Sequence, residues 1–362
     1  MGIVYLITGI AGYLGGQVAR DLVAGGKRVR GLIMQGDLGR AYVPESVELF
    51  EGDVRDKSSC EAFFDTGADD AVVIHAAGIV SIASKYDQRV WDVNVGGTKN
   101  IIDLCISHRV KKLIHVSTVH AISERPQGEV ICETNHFDPD SVVGLYAKTK
   151  AEATAYVLSA AKRQLNASVV HPSGICGPGD HGRGYITQLI VDYSSGGLTA
   201  GVKGGYDFVD VRDVASGIIS CIERGRRGEC YILSNRYVSV PEMLNLFSSL
   251  TGRHKIHTML PLWFAKLTAP LAEVYYKMLH QPPLYTTYSM YTLQSNASFS
   301  HEKATRELGY TVRPFEQTIS DTFAWLEKEG RICSAEGRPT RVKVKGVKGK
   351  KPRRHGKAHA GV

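Results

Sequence analysis

The stretch that decides the fold is residues 3–15, with the sequence IVYLITGIAGYLG. Its first five residues are apolar and rich in β-branched side chains, which predicts a strand buried on both faces. A turn with Gly9, Gly12 and Gly15 follows, and residues 17–24 have a helical pattern. Gly9 permits a tight turn, Gly12 lets the backbone approach a pyrophosphate, and Gly15 lets the helix pack closely on the strand. This order predicts a dinucleotide-binding site.

Strand and helix patterns alternate from this motif to about residue 178. Such alternation predicts an α/β fold, a Rossmann-type doubly wound parallel sheet with helices on both faces. Ligands of these sheets bind at the carboxyl ends of the strands. The further strand patterns lie at 29–34, 47–50, 71–75, 112–116 and 167–171, and the helical patterns at 92–107 and around 146–150.

The chain divides into three predicted regions. Residues 1–178 form a dinucleotide-binding Rossmann domain, and the strand and helix patterns around 205–235 also belong to this domain. Residues 179–335 form a small mixed domain that mainly binds substrate. Residues 336–362 are rich in Lys, Arg, Gly and Pro and almost free of apolar residues, which predicts a disordered basic tail.

The net charge of +8 originates in this tail. Ten Lys and Arg residues and no Asp or Glu lie from Arg338 onward, which leaves 34 of the 44 basic residues against all 36 acidic ones in residues 1–337. The body of the protein is therefore near neutral. The positive charge of the tail predicts weak contact with anionic surfaces. Because the tail has no aromatic residue for base stacking, we expect no specific nucleic-acid binding.

Cysteine usage and hydropathy bear on location. The seven scattered cysteines lack CxxC or Cys/His spacing, which predicts free thiols in a reducing cytoplasm and no metal site. The chain has no leader pattern and no run of 18 apolar residues, so we expect a cytoplasmic protein. The stretch 260–279 leaves open an amphipathic surface helix that touches a membrane or a partner, and contact with a membrane would make the protein peripheral to it.

The end of the second predicted strand does not choose between NAD and NADP. An acidic residue there would favour NAD and an Arg would favour NADP, but the strand ends at Met34, with Asp37 and Arg40 just beyond. Asp53, at the end of the third strand, has two interpretations. It accepts a hydrogen bond from the adenine amino group, or it caps the next helix.

Tyr146 and Lys150 form the predicted catalytic pair, because residues i and i+4 of a helix lie on one face. An ammonium one turn away lowers the pKa of a tyrosine from about 10, so that the phenol can exchange a proton with a substrate hydroxyl or carbonyl. The same ammonium can hold ribose hydroxyls of the cofactor. Thr118, after the strand at 112–116, can hydrogen-bond the same substrate oxygen.

These motifs resemble the extended short-chain dehydrogenase/reductases, also called the NAD-dependent epimerase/dehydratase family. The resemblance covers residues 3–329 and implies a Rossmann-type cofactor domain, a small C-terminal substrate domain, catalytic Thr118, Tyr146 and Lys150, and a mostly structural Asn94. It rests on TGIAGYLG at 8–15, GDV at 52–54, HAAG at 75–78, NVGGT at 94–98, VST at 116–118, YAKTK at 146–150, HPSGICGPGD at 171–180 and FVDVRDVA at 208–215.

The motifs and the resemblance together define a predicted cofactor site, in which residues 172–175 border the nicotinamide. Its members are Thr8, Gly9, Ala11, Gly12, Tyr13, Leu14, Gly15, Met34, Asp53, Val54, Ala76, Ala77, Gly78, Asn94, Tyr146, Lys150, Pro172, Ser173 and Ile175.

Departures from the family pattern bear on the substrate. Sugar-nucleotide enzymes of the family usually carry an Arg where this chain has Tyr206, and a tyrosine cannot make a bidentate contact with a diphosphate. Dehydratases place Asp-Glu after the catalytic Thr, where this chain has Val119 and His120. His171 stands where the family usually has Arg before Pro. We interpret His75, His120 and His171 as structural residues at strand ends.

Residues 256–300 contain no Arg and are rich in aromatic side chains. This composition favours a pocket for a steroid-like or flavonoid-like ligand, and it resembles the branch of 3β-hydroxysteroid dehydrogenases and dihydroflavonol-type reductases. The alternative is that these side chains only pack the small domain. They are Trp263, Phe264, Tyr275, Tyr276, Tyr285, Tyr288, Tyr291 and Phe299.

The leading hypothesis is an NAD(P)-dependent oxidoreductase that interconverts a secondary alcohol and a ketone on a mostly apolar small molecule. Hydride transfer would be accompanied by acid–base catalysis at Tyr146. One alternative is a nucleotide-sugar epimerase that retains NAD. A non-catalytic dinucleotide sensor is disfavoured because Thr118, Tyr146 and Lys150 are all present. The resemblance also implies a homodimer formed through the helices that include the Tyr/Lys helix.

Overall fold

A seven-stranded parallel sheet forms the centre of the structure, a computed structural model that describes residues 2–81, 86–182, 184–261, 263 and 287–333. The strand order is β10-β6-β5-β4-β1-β2-β3, and all neighbouring strands are parallel. Its strands are β1 (Ile3–Thr8), β2 (Arg28–Ile33), β3 (Glu48–Glu51), β4 (Asp70–His75), β5 (Lys112–Val116), β6 (Ala167–Pro172) and β10 (Cys230–Leu233).

The central strands are buried on both faces, as their continuous apolar runs predict. In β1, Val4 and Leu6 belong to one core cluster, whereas Tyr5 and Ile7 belong to a second cluster across the sheet. The two clusters arise because successive side chains of a strand point to opposite faces. The prediction of a doubly wound Rossmann-type sheet is confirmed.

Helices cover both faces of this sheet. α1 and α7 pack together over one core cluster, and α4 and α5 pack together over the other. The helices are α1 (Tyr13–Ala24), α2 (Glu61–Phe64), α3 (Gln88–Trp91), α4 (Thr98–Ser107), α5 (Leu145–Arg163), α6 (Tyr185–Ser194), α7 (Val211–Arg224), α8 (Val240–Thr251), α9 (Thr287–Thr292), α10 (Glu302–Leu308) and α11 (Phe315–Lys328).

Two small sheets lie beside the main one. The first has the order β11-β9-β7 and the second pairs β12 with β8. A third core cluster, which includes Tyr193, Phe247 and Phe315, joins α6, α8 and α11. Ser239 caps α8, since its side chain accepts a hydrogen bond from the Glu242 backbone N–H. The strands are β7 (Gly174–Cys176), β8 (Gly201–Val202), β9 (Gly205–Asp210), β11 (Arg236–Ser239) and β12 (Met259–Leu260).

Two segments differ from the sequence-based expectation. The predicted helix 92–107 is interrupted, because Asp92–Gly97 forms a π-helical turn before α4 begins. Within that turn, the buried Asn94 side chain bonds the backbone of Ile79, a contact that the helical pattern does not encode. The segment after β6, for which the sequence shows no strand pattern, contains β7, because residues 174–176 pair in parallel with β9.

Several predicted features lie outside the described residues. These are the basic tail at 336–362 and most of the apolar stretch 260–279, together with Phe264, Tyr275, Tyr276 and Tyr285. In the part of the chain that the structure describes, no helix is both long and apolar enough to cross a membrane. Among the same residues, no group of three or more His, Cys, Asp or Glu side chains could hold a metal ion.

Candidate active site

The glycine-rich turn connects β1 to α1 and crosses the loop after β4 at close range. Gly9 has φ +72°, and a Cβ there would lie 2.7 Å from the backbone nitrogen of Ala77. A Cβ at Gly15 would overlap the carbonyl oxygen of Gly9. Gly12 is the N-cap of α1 and offers no side-chain cap to the N–H groups of the first turn. These N–H groups and the positive end of the helix dipole fit the pyrophosphate of a dinucleotide.

Neighbouring residues enclose the turn on two sides. A Cβ at Gly39 would lie 2.9 Å from the Cβ of Ala11, so the segment after β2 packs on the glycine-rich turn. The Tyr13 hydroxyl donates to the carbonyl oxygen of Gly177 at 2.6 Å, and burial raises its pKa well above the usual range. Leu14 packs against the core cluster under α1.

His75 joins the ends of β1 and β4 to the π-helical turn. Its Nδ1 lies 2.7 Å from Thr8 Oγ1, which accepts a hydrogen bond from the Ala77 backbone. Its Nε2 lies 3.0 Å from Thr98 Oγ1, which donates to the carbonyl oxygen of Asn94. Because Thr98 already donates its only proton, His75 carries its proton on Nε2 and accepts from Thr8 at Nδ1. Burial, with the Lys150 charge as a smaller cause, lowers the pKa of His75 to about 3.

Asn94 holds the loop that follows β4. Its Oδ1 accepts from the Ile79 backbone at 2.8 Å, and its Nδ2 donates to the Ile79 carbonyl and to Thr149 Oγ1, each at 3.1 Å. A Cβ at Gly78 would lie 3.2 Å from Asn94 Oδ1 and 3.5 Å from Lys150 Nζ. Ala76 and Ala77 precede this point and are half-buried. The structure therefore brings Asn94, Gly78 and Lys150 to one place.

Lys150 is buried on α5 and is 5% exposed. Its Nζ donates to the carbonyl oxygen of Val116 at 2.7 Å, and burial lowers its pKa to about 8. Tyr146 is half-buried one turn earlier on the same helix, which begins after Gly144 at φ +95°. The start of α5 packs against the short turn Val119–Ala121. Thr118, 6% exposed, caps that turn by accepting from the His120 N–H at 3.3 Å.

The segment after β6 continues this edge of the sheet. Pro172 ends β6, and the Ser173 backbone N–H donates to the carbonyl oxygen of Leu233 at 3.2 Å. Ile175 pairs with Val209 of β9. This segment therefore rests between the main sheet and the small sheet, at the carboxyl end of β6.

The adenosine end of the predicted site is more open. Met34 is 56% exposed. The interpretation of Asp53 as a helix cap is wrong, because its carboxylate pairs with Arg55 at 2.6 Å and Asp56 instead accepts from the Ser58 N–H. The buried Val54 packs against the π-helical turn at Gly97, where a Cβ would lie 2.7 Å from Val54 Cγ2.

Asp37 and Arg40, the two residues that bear on cofactor choice, both have partners. Asp37 Oδ1 accepts from the Gly39 N–H at 2.8 Å and so caps the turn Leu38–Tyr42. Arg40 lies 3.5 Å from the carboxylate of Glu51, and both side chains are more than half exposed. An exposed ion pair of this kind is weak, so the Arg40 side chain can leave Glu51 and contact a negatively charged group bound at the adenosine end of the site.

Two histidines flank Thr118, although sequence reasoning gave them no part in the site. His171 Nδ1 lies 2.9 Å from the Thr118 carbonyl oxygen, and the Tyr206 hydroxyl lies 2.9 Å from His120 Nε2. Burial lowers the pKa of each histidine to about 4, so both rings are neutral at pH 7. These contacts join residues far apart in the chain, and no local spacing could have indicated them.

Tyr206 is 8% exposed and lies in an aromatic setting. Its ring packs against Phe208 and Phe299 and stacks on His120 at 5.3 Å. A Cβ at Gly174 would lie 3.0 Å from Tyr206 Cδ1, so Tyr206 borders the segment after β6. The position at which sugar-nucleotide enzymes of the resembled family carry Arg is thus part of an aromatic cluster.

Comparison with known proteins identifies the relatives of this chain. The sequence model of the NAD dependent epimerase/dehydratase family matches residues 5–234. Sterol demethylase protein B of Methylococcus capsulatus is 29% identical over 90% of this chain and 99% of that protein. The 3beta-hydroxysteroid-dehydrogenase/decarboxylase isoform 1 of Arabidopsis thaliana is 28% identical over 82% of this chain and 71% of that protein. The crystal structure of gox2253 matches with a TM-score of 0.78 and 30% identity, over 91% of this chain and 99% of that one.

The glycine-rich turn, the buried lysine and the matched family model agree on one class of enzyme. The extent of the match shows that the resemblance inferred from the motifs is a true relationship. The chain belongs to the NAD dependent epimerase/dehydratase family, and it is an oxidoreductase of the extended short-chain type that uses a nicotinamide dinucleotide.

Proposed function

We propose that this enzyme interconverts a secondary alcohol and a ketone on a mostly apolar small molecule, with a steroid-like or flavonoid-like skeleton. The observation that carries the proposal is the position of Lys150. Its Nζ bonds the last residue of β5 and lies beside Gly78, while Tyr146 precedes it by one helical turn. This arrangement supports an acid–base tyrosine next to the nicotinamide end of the cofactor site.

In the proposed site, each residue has a separate task. Gly9, Gly12 and Gly15 hold the pyrophosphate, and residues 172–175 border the nicotinamide. Met34, Asp53 and Val54 line the adenosine end. A nicotinamide bound there would supply the hydride acceptor or donor for the carbon that carries the substrate oxygen.

The proton of the reaction moves through the chain's own side chains. Tyr146 Oη takes the proton of the substrate hydroxyl in oxidation and returns it to the carbonyl oxygen in reduction. The Lys150 ammonium stabilises negative charge on the phenol oxygen and binds ribose hydroxyls. Thr118 Oγ1 donates a hydrogen bond to the substrate oxygen and so orients it for Tyr146.

The apolar substrate is supported by the surroundings of Tyr206. The family's diphosphate-binding enzymes need a cation at this position, and this chain has a phenol packed against Phe208 and Phe299. The neutral His120 beside it adds no charge. Relatives named for sterol and steroid reactions align with 90% and 82% of this chain and support the same substrate class.

We also propose that the chain divides into a cofactor domain at 1–178 and a mainly substrate-binding domain at 179–335. In addition, we propose a homodimer formed through α4 and α5. Tyr156 on α5 is 40% exposed, with Lys99 Nζ of α4 lying 4.0 Å from its ring centroid. An exposed aromatic ring on the solvent side of this helix pair fits an interface. Light scattering on the purified protein measures the mass that tests this proposal.

The test of the function is an absorbance assay with NAD and NADP against hydroxysteroids, aromatic alcohols and ketones, and UDP-sugars. We expect nicotinamide absorbance to change with the apolar alcohols or ketones, and free cofactor to be consumed. UDP-sugar turnover without net absorbance change, together with NAD that copurifies with the protein, would instead identify a nucleotide-sugar epimerase. Dinucleotide binding without turnover of any of these substrates would identify a sensor.

A further inference from the structure

His171 departs from the family's usual Arg, and its contacts show what the histidine does in this chain. It is fully buried near the end of β6. Its Nδ1 lies 2.9 Å from the carbonyl oxygen of Thr118, and its ring stacks on Phe137 with centroids 5.2 Å apart and planes within 3°. Because a carbonyl oxygen can only accept and the buried ring is neutral, Nδ1 carries the proton and donates it.

The bond from His171 acts on the backbone of the residue whose hydroxyl faces the substrate. The Thr118 carbonyl also accepts from the Ala121 N–H at 3.1 Å, and Thr118 Oγ1 accepts from the His120 N–H. With one lone pair of Oγ1 engaged in this way, the Thr118 hydroxyl proton is directed away from the turn. A rotation of the Thr118 peptide would redirect this proton, and the donor on His171 opposes that rotation.

We propose that His171 is a positioning residue, which fixes the orientation of Thr118 through the hydrogen bond to its carbonyl oxygen. This inference rests on the proposed role of Thr118 in turnover. It also distinguishes this position from an arginine, which is always charged. His171 and Lys150 interact electrostatically, so an arginine here would place a permanent cation near the lysine. A neutral imidazole supplies the donor without that second charge.

Three substitutions separate the donor from the ring. H171F keeps a ring that can stack on Phe137 and removes the donor. H171N keeps an amide N–H near the position of Nδ1, and H171Q places its amide near the position of Nε2 instead. We expect H171F and H171Q to lower kcat by about 10- to 100-fold, because a small misplacement of an orienting group has an effect of this size. H171N should retain most of the turnover, and the KM for the cofactor should stay within about twofold in all three.

A double-mutant cycle with T118V separates this inference from the proposed function. T118V should lower kcat by itself, and H171F should cause little further loss in the T118V background. Unchanged kcat in T118V would overturn the proposed role of Thr118. A lowered kcat in T118V, followed by the full loss from H171F in the same background, would overturn the role of His171.

The thermal midpoint and the cofactor dissociation constant of each variant serve as controls for correct folding. If H171F does not fold, the comparison of H171N with H171Q decides, since both are amides that lack the ring. A higher kcat in H171N than in H171Q supports the proposal, and equal kcat values overturn it.

Discussion

The ammonium of Lys150 donates a hydrogen bond of 2.7 Å to the carbonyl oxygen of Val116, the last residue of β5. Thr118 follows Val116 by two residues, and Tyr146 precedes Lys150 by one helical turn. A single contact between α5 and β5 thus links the two chain segments that carry the three proposed catalytic groups. Burial of this amine lowers its pKa to about 8, so the lysine is largely charged at neutral pH.

Replacing Lys150 by Met should lower turnover by about 10²–10⁴-fold, because the proton transfer at Tyr146 loses its neighbouring charge. The measurement is kcat with the substrate that the absorbance assay identifies. Lys148→Met is the matched control, since Lys148 lies on the same helix in a surface ion pair with Asp140 at 3.1 Å. Equal turnover in the Lys150 and Lys148 variants would contradict the role of Lys150.

Replacing Tyr146 by Phe should leave dinucleotide binding within a few-fold and lower kcat by about 10²–10⁴-fold, because only the hydroxyl that exchanges the proton is lost. Cofactor affinity is measured by fluorescence titration and kcat by absorbance. The half-exposed Tyr237→Phe variant on β11 serves as the control. Undiminished turnover in Tyr146→Phe would refute the mechanism.

Gly12 and Gly15 should respond differently to replacement by Ala. In the described part of the chain, a Cβ at Gly12 would meet one atom within 4 Å, the carbonyl oxygen of Gly9 at 3.1 Å. We expect Gly12→Ala to keep its stability and lose dinucleotide affinity, because the methyl group obstructs the pyrophosphate. Gly15→Ala should lose roughly 1–3 kcal/mol of unfolding free energy, because its Cβ overlaps the Gly9 backbone.

Urea unfolding and dinucleotide titration on both variants measure these two effects. Tight binding by Gly12→Ala would exclude a pyrophosphate at the glycine-rich turn. A Gly15→Ala variant as stable as the parent would contradict the close packing of α1 on β1.

Stability should fall as the pH is lowered from about 7 to 5, because four histidines in the interior of the sheet and at its edge are neutral in the folded protein. Burial lowers the pKa of His75 to about 3, lowers the pKa values of His120 and His171 to about 4, and holds the pKa of His115 well below its usual value. In the unfolded chain a histidine titrates near pH 6.5, so between about pH 4 and 6.5 the unfolded state binds more protons. Each histidine then removes up to about 1.4 kcal/mol of unfolding free energy per pH unit.

The measurement is the unfolding free energy in urea at pH 7.5, 6 and 5. H171N removes one of the four groups and should show a shallower dependence than the parent. A free energy that stays constant from pH 7.5 to 5 would show that these rings are not held neutral.

The alternation of strands and helices predicted the main sheet, because apolar periodicity is a local property of the sequence. It did not reveal the π-helical turn at 92–97 or the strand at 174–176, for one shared reason. In both segments a partner distant in the chain sets the backbone, Ile79 through Asn94 in the first and β9 in the second. Helical spacing likewise predicted that Tyr146 and Lys150 share a face, but not that Lys150 would reach Val116.

The sequence by itself determined the glycine-rich turn and the shared helix face of Tyr146 and Lys150, since each depends on spacing within a few residues. It also determined the family, since each of the family's motifs is a short run that can be identified in the sequence. Only the tertiary structure decided which groups support them. The His75 bond to Thr8 spans 67 positions and the His171 bond to Thr118 spans 53. Such contacts exist because parallel strands bring their carboxyl ends to one edge of the sheet, whatever the length of chain between them.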